Sequence, residues 1–190
     1  QEVADLAGVA HLSAIKSGIP FLHFFDGFRT SHEVNTVELL DYSVFDKLLD
    51  KEAVAKFRAN ALNPAHPKTR GTAQNDDVYF QTRELQNHKY EGVSDVVEYY
   101  MDEIAKATGR QYKPFSYYGA PDAENVIICM GSVTECAEEV VDYLTAKGEK
   151  VGVLKVHLYR PFDTKKFLAS MPATVKKIAV LDRTIDQGSL

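Results

Sequence analysis

The chain has 190 residues, a net charge of −5, 45% apolar and 11% aromatic residues, enough apolar side chain for one or two packed domains. The acidic balance, with no basic stripe, excludes nucleic acid as the main partner, and no apolar run is long enough to span a bilayer. Its two cysteines, Cys129 and Cys136, have neither C-x-x-C nor zinc spacing. They read as small core residues of a cytoplasmic protein, Cys136 on a buried helix face. A typical iron–sulfur cluster takes about four thiolates, so this chain cannot hold one alone.

Residues 1–17 predict a helix. Val3, Leu6, Ala7, Ala10 and Ala14 form a stripe that Val9, Leu12 and Ile15 widen, and Gly18 ends it. Residues 19–25 read as a strand with Pro20 at its start. Asp26-Gly27 breaks that strand, and residues 28–33 make the most polar turn of the chain. Residues 36–40 are a weaker strand. Helices are expected over 42–49 and 51–62, the second capped by Asp50. Residues 63–73, with Pro64, Pro67 and Gly71, are a loop. A helix is expected over 75–91 and a clearer one over 93–108, where Val93, Val96, Val97, Tyr100, Met101, Ile104 and Ala105 share a face before Gly109. Residues 110–124 read as a connector.

Residues 125–183 organise the rest. Val126 to Met130 is a short apolar run of the kind covered on both faces. Ser132 and Glu135 then have capping-box spacing, and Val133, Cys136, Ala137, Val140, Val141 and Leu144 fall on one helical face. Residues 151–156 are the next strand. Asp163 caps a second helix, with Phe162 and Phe167 spaced as a hydrophobic staple, and residues 177–181 are a third strand. Two successive strand–helix–strand crossovers predict an open parallel α/β sheet. A three-stranded sheet has two open edges, the first 40 residues hold too little for a sheet domain, and the chain begins at Gln1. It is therefore expected to be cut from a longer polypeptide.

Ligands in such sheets gather beyond the carboxyl ends of the strands. Asp26, Arg29, Thr30, Ser31 and His32 sit at such an end. Arg and His could hold a carboxylate or phosphate there, and Asp and His could exchange a proton. The same residues also read as a loop pinned by its own side chains, with Asp26 and Ser31 binding backbone amides. Gly131-Ser132 lies at a strand–helix junction, where phosphates are often held, but no glycine-rich phosphate motif accompanies it. His23 reads as a core histidine. No histidine pair has ligand spacing. Asp182 and Arg183 follow the last strand and are candidates for a domain contact.

Several runs resemble pyruvate:ferredoxin (flavodoxin) oxidoreductases, in order and over essentially the whole chain. They are His23-Phe24-Phe25-Asp26-Gly27-Phe28-Arg29-Thr30-Ser31-His32-Glu33, Tyr118-Gly119-Ala120-Pro121-Asp122-Ala123-Glu124, Met130-Gly131-Ser132-Val133, Leu158-Tyr159-Arg160-Pro161-Phe162 and Val180-Leu181-Asp182-Arg183-Thr184. The resemblance implies that residues 1–50 are the tail of a pyrimidine-binding-type α/β domain. It makes 51–111 a helical connector and 112–190 the incomplete start of a transketolase C-terminal-like α/β domain. It implies a parent of anaerobic metabolism that converts pyruvate and coenzyme A to acetyl-CoA and CO2 and passes electrons to ferredoxin or flavodoxin. That parent would be a cytoplasmic homodimer using thiamine diphosphate, Mg2+ and [4Fe-4S] clusters. No catalytic residue of the family transfers to a position here, so the chain alone is expected to be inactive, with the 26–32 turn at an active-site edge. The competing reading is a stand-alone flavodoxin-like module that binds a nucleotide or flavin.

Overall fold

The computed structural model describes residues 1–69, 71 and 73–182. In chain order its elements are α1 (Glu2–Ser17), α2 (Arg29–His32), α3 (Tyr42–Leu48), α4 (Lys51–Ala59), α5 (Asp76–Tyr90), α6 (Val93–Thr108), β1 (Phe115–Gly119), β2 (Asn125–Cys129), α7 (Val133–Thr145), β3 (Val151–Val156), α8 (Thr164–Ala169) and β4 (Lys177–Val180). They fall into two compact units. One comprises residues 1–23 and 38–110, the other residues 24–37 and the chain from Gln111 on.

The first unit is helical. α6 has the bounds its periodicity predicts and buries Val93, Val97, Tyr100, Met101 and Ile104, spaced to form one stripe. It packs against α1, which buries Asp5, Val9, Leu12 and Ser13. Both helices end at left-handed glycines, Gly18 and Gly109, whose amides close onto Ala14 and Ala105. Asp50 caps α4 as expected, accepting from Ala53 N at 2.8 Å, and also takes Lys16 Nζ at 2.5 Å. α4 ends at Ala59, short of the expected residue 62. Within α1, Gly8 admits the ring of Phe45 from α3: a Cβ there would lie 2.9 Å from Phe45 Cζ.

The strands expected over 19–25 and 36–40 are not formed. Leu22, Phe24, Phe25 and Leu39 are exposed. Apolar alternation is a local signal, whereas a strand exists only where a second strand accepts its ladder. Among the described residues neither stretch has one.

The second unit carries a sheet of order β1-β3-β2-β4. β2 is parallel to both β3 and β4, in register Ile127 with Val153 and with Ala179. The expected parallel strand–helix–strand–helix–strand core is therefore present. β1 adds an antiparallel edge within the stretch read as a connector, Tyr117 opposite Leu154. Side chains alternate across the sheet. Val126, Ile128, Leu154 and Val156 pack with Phe115 and Phe167 on the α8 side, while Cys129 and Val153 pack with Val141 on the α7 side. Asp163 caps α8 by accepting from Lys166 N at 3.1 Å, and the Phe162 and Phe167 rings meet at 5.1 Å, as the staple predicts. The Arg160–Pro161 peptide that precedes them is cis.

Candidate functional site

The carboxyl edge of β2 leads through Met130, Gly131 and Ser132 into α7. Segment 24–37 belongs to the same unit and meets this edge. Asp26 Oδ2 accepts from Ser132 N at 2.5 Å. Gly131 has φ of 78°, and a Cβ on it would lie 2.7 Å from the same oxygen. Thr30 Oγ1 is 3.5 Å from Ser132 Oγ. The two features read separately from the sequence, the polar turn and the strand–helix junction, are thus one place.

The expected capping box between Ser132 and Glu135 is not made. Ser132 has helical backbone angles, φ −63° and ψ −22°, and its side chain caps nothing. A capping hydroxyl needs an extended backbone to reach the first free amides. The oxygen comes instead from Asp26, 106 residues earlier.

Within the turn, Ser31 Oγ donates to Phe28 O at 2.9 Å, not to an amide. His32 Nδ1 lies 2.5 Å from the same carbonyl and donates to it with the proton on Nδ1. Phe28 has φ of 53° and ψ of −117°, a left-handed backbone in a residue with a full side chain. Such angles persist only where neighbours hold them. Arg29 is exposed. Leu181 N donates to Ile128 O at 2.9 Å, which brings exposed Asp182 to the same edge of the sheet. Arg183 lies outside the described residues.

His23 is half-buried, and its imidazole is less basic than usual, through burial first and the nearby His11 second. Cys129 is fully buried, and burial raises its thiol pKa. Cys136 is exposed, contrary to the expected buried helix face. The reason is that α7 covers only part of its side of the sheet. It leaves an apolar groove of about 440 Å³ walled by Val133, Cys136, Val140, Ile127 and Ala179.

Two polar residues that sequence reasoning missed, Asp5 and Arg110, form a buried ion pair. Asp5 is 0% exposed in α1 and is held by Arg110. The available signal was the spacing of Asp5, one turn before Val9 on the face that Val9 and Leu12 share.

The junction does not fit a diphosphate. Asp26 already presents a carboxylate to the Ser132 amide, where a phosphate oxygen would otherwise be received. A second anion would be repelled there. The same contact weighs against a nucleotide or flavin phosphate at this edge. The thiols do not fit a cluster either, since Cys129 is buried and Cys136 exposed.

The family described as "Pyruvate flavodoxin/ferredoxin oxidoreductase, thiamine diP-bdg" matches residues 1–102. The chain belongs to this family. A second family, "Pyruvate:ferredoxin oxidoreductase core domain II", matches residues 123–190. A pyruvate-flavodoxin oxidoreductase of Enterobacter agglomerans is 60% identical over 190 residues, and a pyruvate:ferredoxin oxidoreductase of Moorella thermoacetica is 56% identical over 190 residues. Each match covers 100% of this chain but only 16% of the relative. A solved 2-oxoglutarate:ferredoxin oxidoreductase from Magnetococcus marinus, with 2-oxoglutarate, coenzyme A and succinyl-CoA bound, matches 65% of this chain and 19% of its own, at 24% identity and a TM-score of 0.40. No helix among the described residues is long and apolar enough to cross a membrane.

Proposed function

We propose that these 190 residues are an internal part of a pyruvate:ferredoxin (flavodoxin) oxidoreductase. The parent oxidises pyruvate with coenzyme A to acetyl-CoA and CO2 and delivers two electrons to ferredoxin or flavodoxin. The observation that supports this is the succession of two matches along one chain, residues 1–102 and then 123–190, combined with relatives of which it spans 16%. Residues 1–50 are the tail of the pyrimidine-binding-type domain, 51–111 the connector and 112–190 the start of the transketolase C-terminal-like domain.

Thiamine diphosphate, Mg2+ and [4Fe-4S] clusters are held by other parts of the parent, a cytoplasmic homodimer. Together they supply the electron sink and the outward path for electrons. The turn with Asp26, Arg29, Thr30, Ser31 and His32 lies at the active-site edge, and Asp182 with Arg183 meets a neighbouring domain. The purified chain, given thiamine diphosphate, Mg2+, pyruvate, coenzyme A and a viologen dye, is expected to leave the dye oxidised. The parent polypeptide under the same conditions is expected to reduce it. Robust reduction by the 190-residue chain would overturn the assignment of the catalytic centre to other segments. A parent inert towards pyruvate would overturn the substrate.

A further inference from the structure

We infer that Asp26 is a positioning residue that caps α7 from a segment remote in sequence and so latches the 28–32 turn to the carboxyl edge of β2. The first amides of a helix have no partner inside it, and a negative charge beside them is favourable. α7 has 13 residues and no side-chain cap of its own. The Asp26 carboxylate supplies one at Ser132 N.

Gly131 completes the fit from the other side. Its φ of 78° disfavours any side chain, and a Cβ would stand 2.7 Å from Asp26 Oδ2 and 3.3 Å from Cγ. The missing side chain is what lets the carboxylate come close. Apolar burial does little to hold this segment: Phe24, Phe25, Phe28 and Val34 are exposed, and α2 buries no residue. The left-handed backbone at Phe28 needs an anchor nearby. Asp26, two residues before it, is that anchor, and the placement of Arg29, Ser31 and His32 depends on it. This holds whatever reaction the parent performs.

Limited trypsin digestion of the chain tests the latch. Cleavage after exposed Arg29 is read relative to cleavage after exposed Lys68. When cleavage tracks local opening, the ratio reports the latch equilibrium. D26L is expected to raise it about five-fold, which is ~1 kcal/mol at 1.4 kcal/mol per decade and matches the loss of a helix cap. D26N keeps an acceptor oxygen and is expected to restore most of the protection. G131A should raise the ratio as well, and D26L with G131A should fall short of the product of the two effects, because both break one contact. Hydrogen exchange should quicken at Ser132 and not at residues 126–128 of β2. An unchanged ratio in D26L, equal opening in D26L and D26N, or fully multiplicative effects would each overturn the latch. If D26L also exposes residues 126–128, G131A decides: an unchanged ratio with the sheet intact overturns it and a raised one supports it.

Discussion

Arg110 grips Asp5 along one edge of its guanidinium, Nε to Oδ2 at 2.7 Å and Nη2 to Oδ1 at 3.1 Å. The Asp5 side chain is 1% exposed and that of Arg110 26%. The remaining arm of Arg110 reaches Glu38 at 3.0 Å, and Gln1 reaches both Asp5 and the Glu38 backbone. Removing one partner of a buried pair leaves an uncompensated charge. R110M is therefore expected to destabilise the helical unit by about 3–5 kcal/mol. Replacing both partners by apolar residues, D5L with R110M, should recover much of that. E38Q should cost less than about 1 kcal/mol, because Glu38 is solvent-exposed. Urea unfolding followed by far-UV circular dichroism ranks the three. An R110M loss no larger than that of E38Q would contradict the burial of the pair.

Ser13 and Ser94 are buried, and their hydroxyls find no partner among the described residues. An unpaired buried hydroxyl is a standing cost, and alanine is the better helix former. S13A and S94A are each expected to stabilise the chain by roughly 1 kcal/mol, read as a higher urea midpoint with unchanged slope. A lower midpoint in either variant would mean that its hydroxyl has a partner in solution.

The helices and parallel strands were legible because their signals are local. Asp50 and Asp163 cap the helices that follow them, and Gly18 and Gly109 end theirs. Partner choice was not legible. The run 19–25 has the apolar content of a strand but no ladder among the described residues, while β1 sits among tyrosines and a proline that read as a connector. At the candidate site, Asp26 and Ser132 were each visible, but nothing in a sequence says that residues 106 apart will meet. Ser132 with Glu135 matched the spacing of a capping box and lost to that distant carboxylate. Arg110 was hidden similarly, since its partner Asp5 is 105 residues away.

His23 gives the helical unit a pH dependence of known sign. Burial, then His11, holds its pKa below the model-peptide value of 6.5. Between the folded and unfolded pKa values the unfolded chain binds more protons, so stability is full above 6.5 and falls as pH drops through it. Urea midpoints taken at intervals from about pH 7.5 to pH 5.5 should decline, the window where histidine titrates. H23Q should flatten the decline, and H11Q should flatten it less, since His11 is the smaller cause. Identical slopes for wild type and H23Q would rule out this source.

The two cysteines should differ sharply in reactivity. The thiolate is the attacking species, so a thiol reacts when it is both reachable and ionised. Cys129 fails on both counts, being 0% exposed with its pKa pushed up by burial. Cys136 lies on the open wall of the groove beside Val133 and Val140, which are 42% and 49% exposed. Under native conditions iodoacetamide is expected to modify Cys136 alone, with Cys129 following only in denaturant. Peptide mass mapping distinguishes the two sites, and C136S should abolish the fast phase while C129S leaves it intact. Rapid native labelling of Cys129 would mean that β2 opens far more readily than its place between β3 and β4 allows.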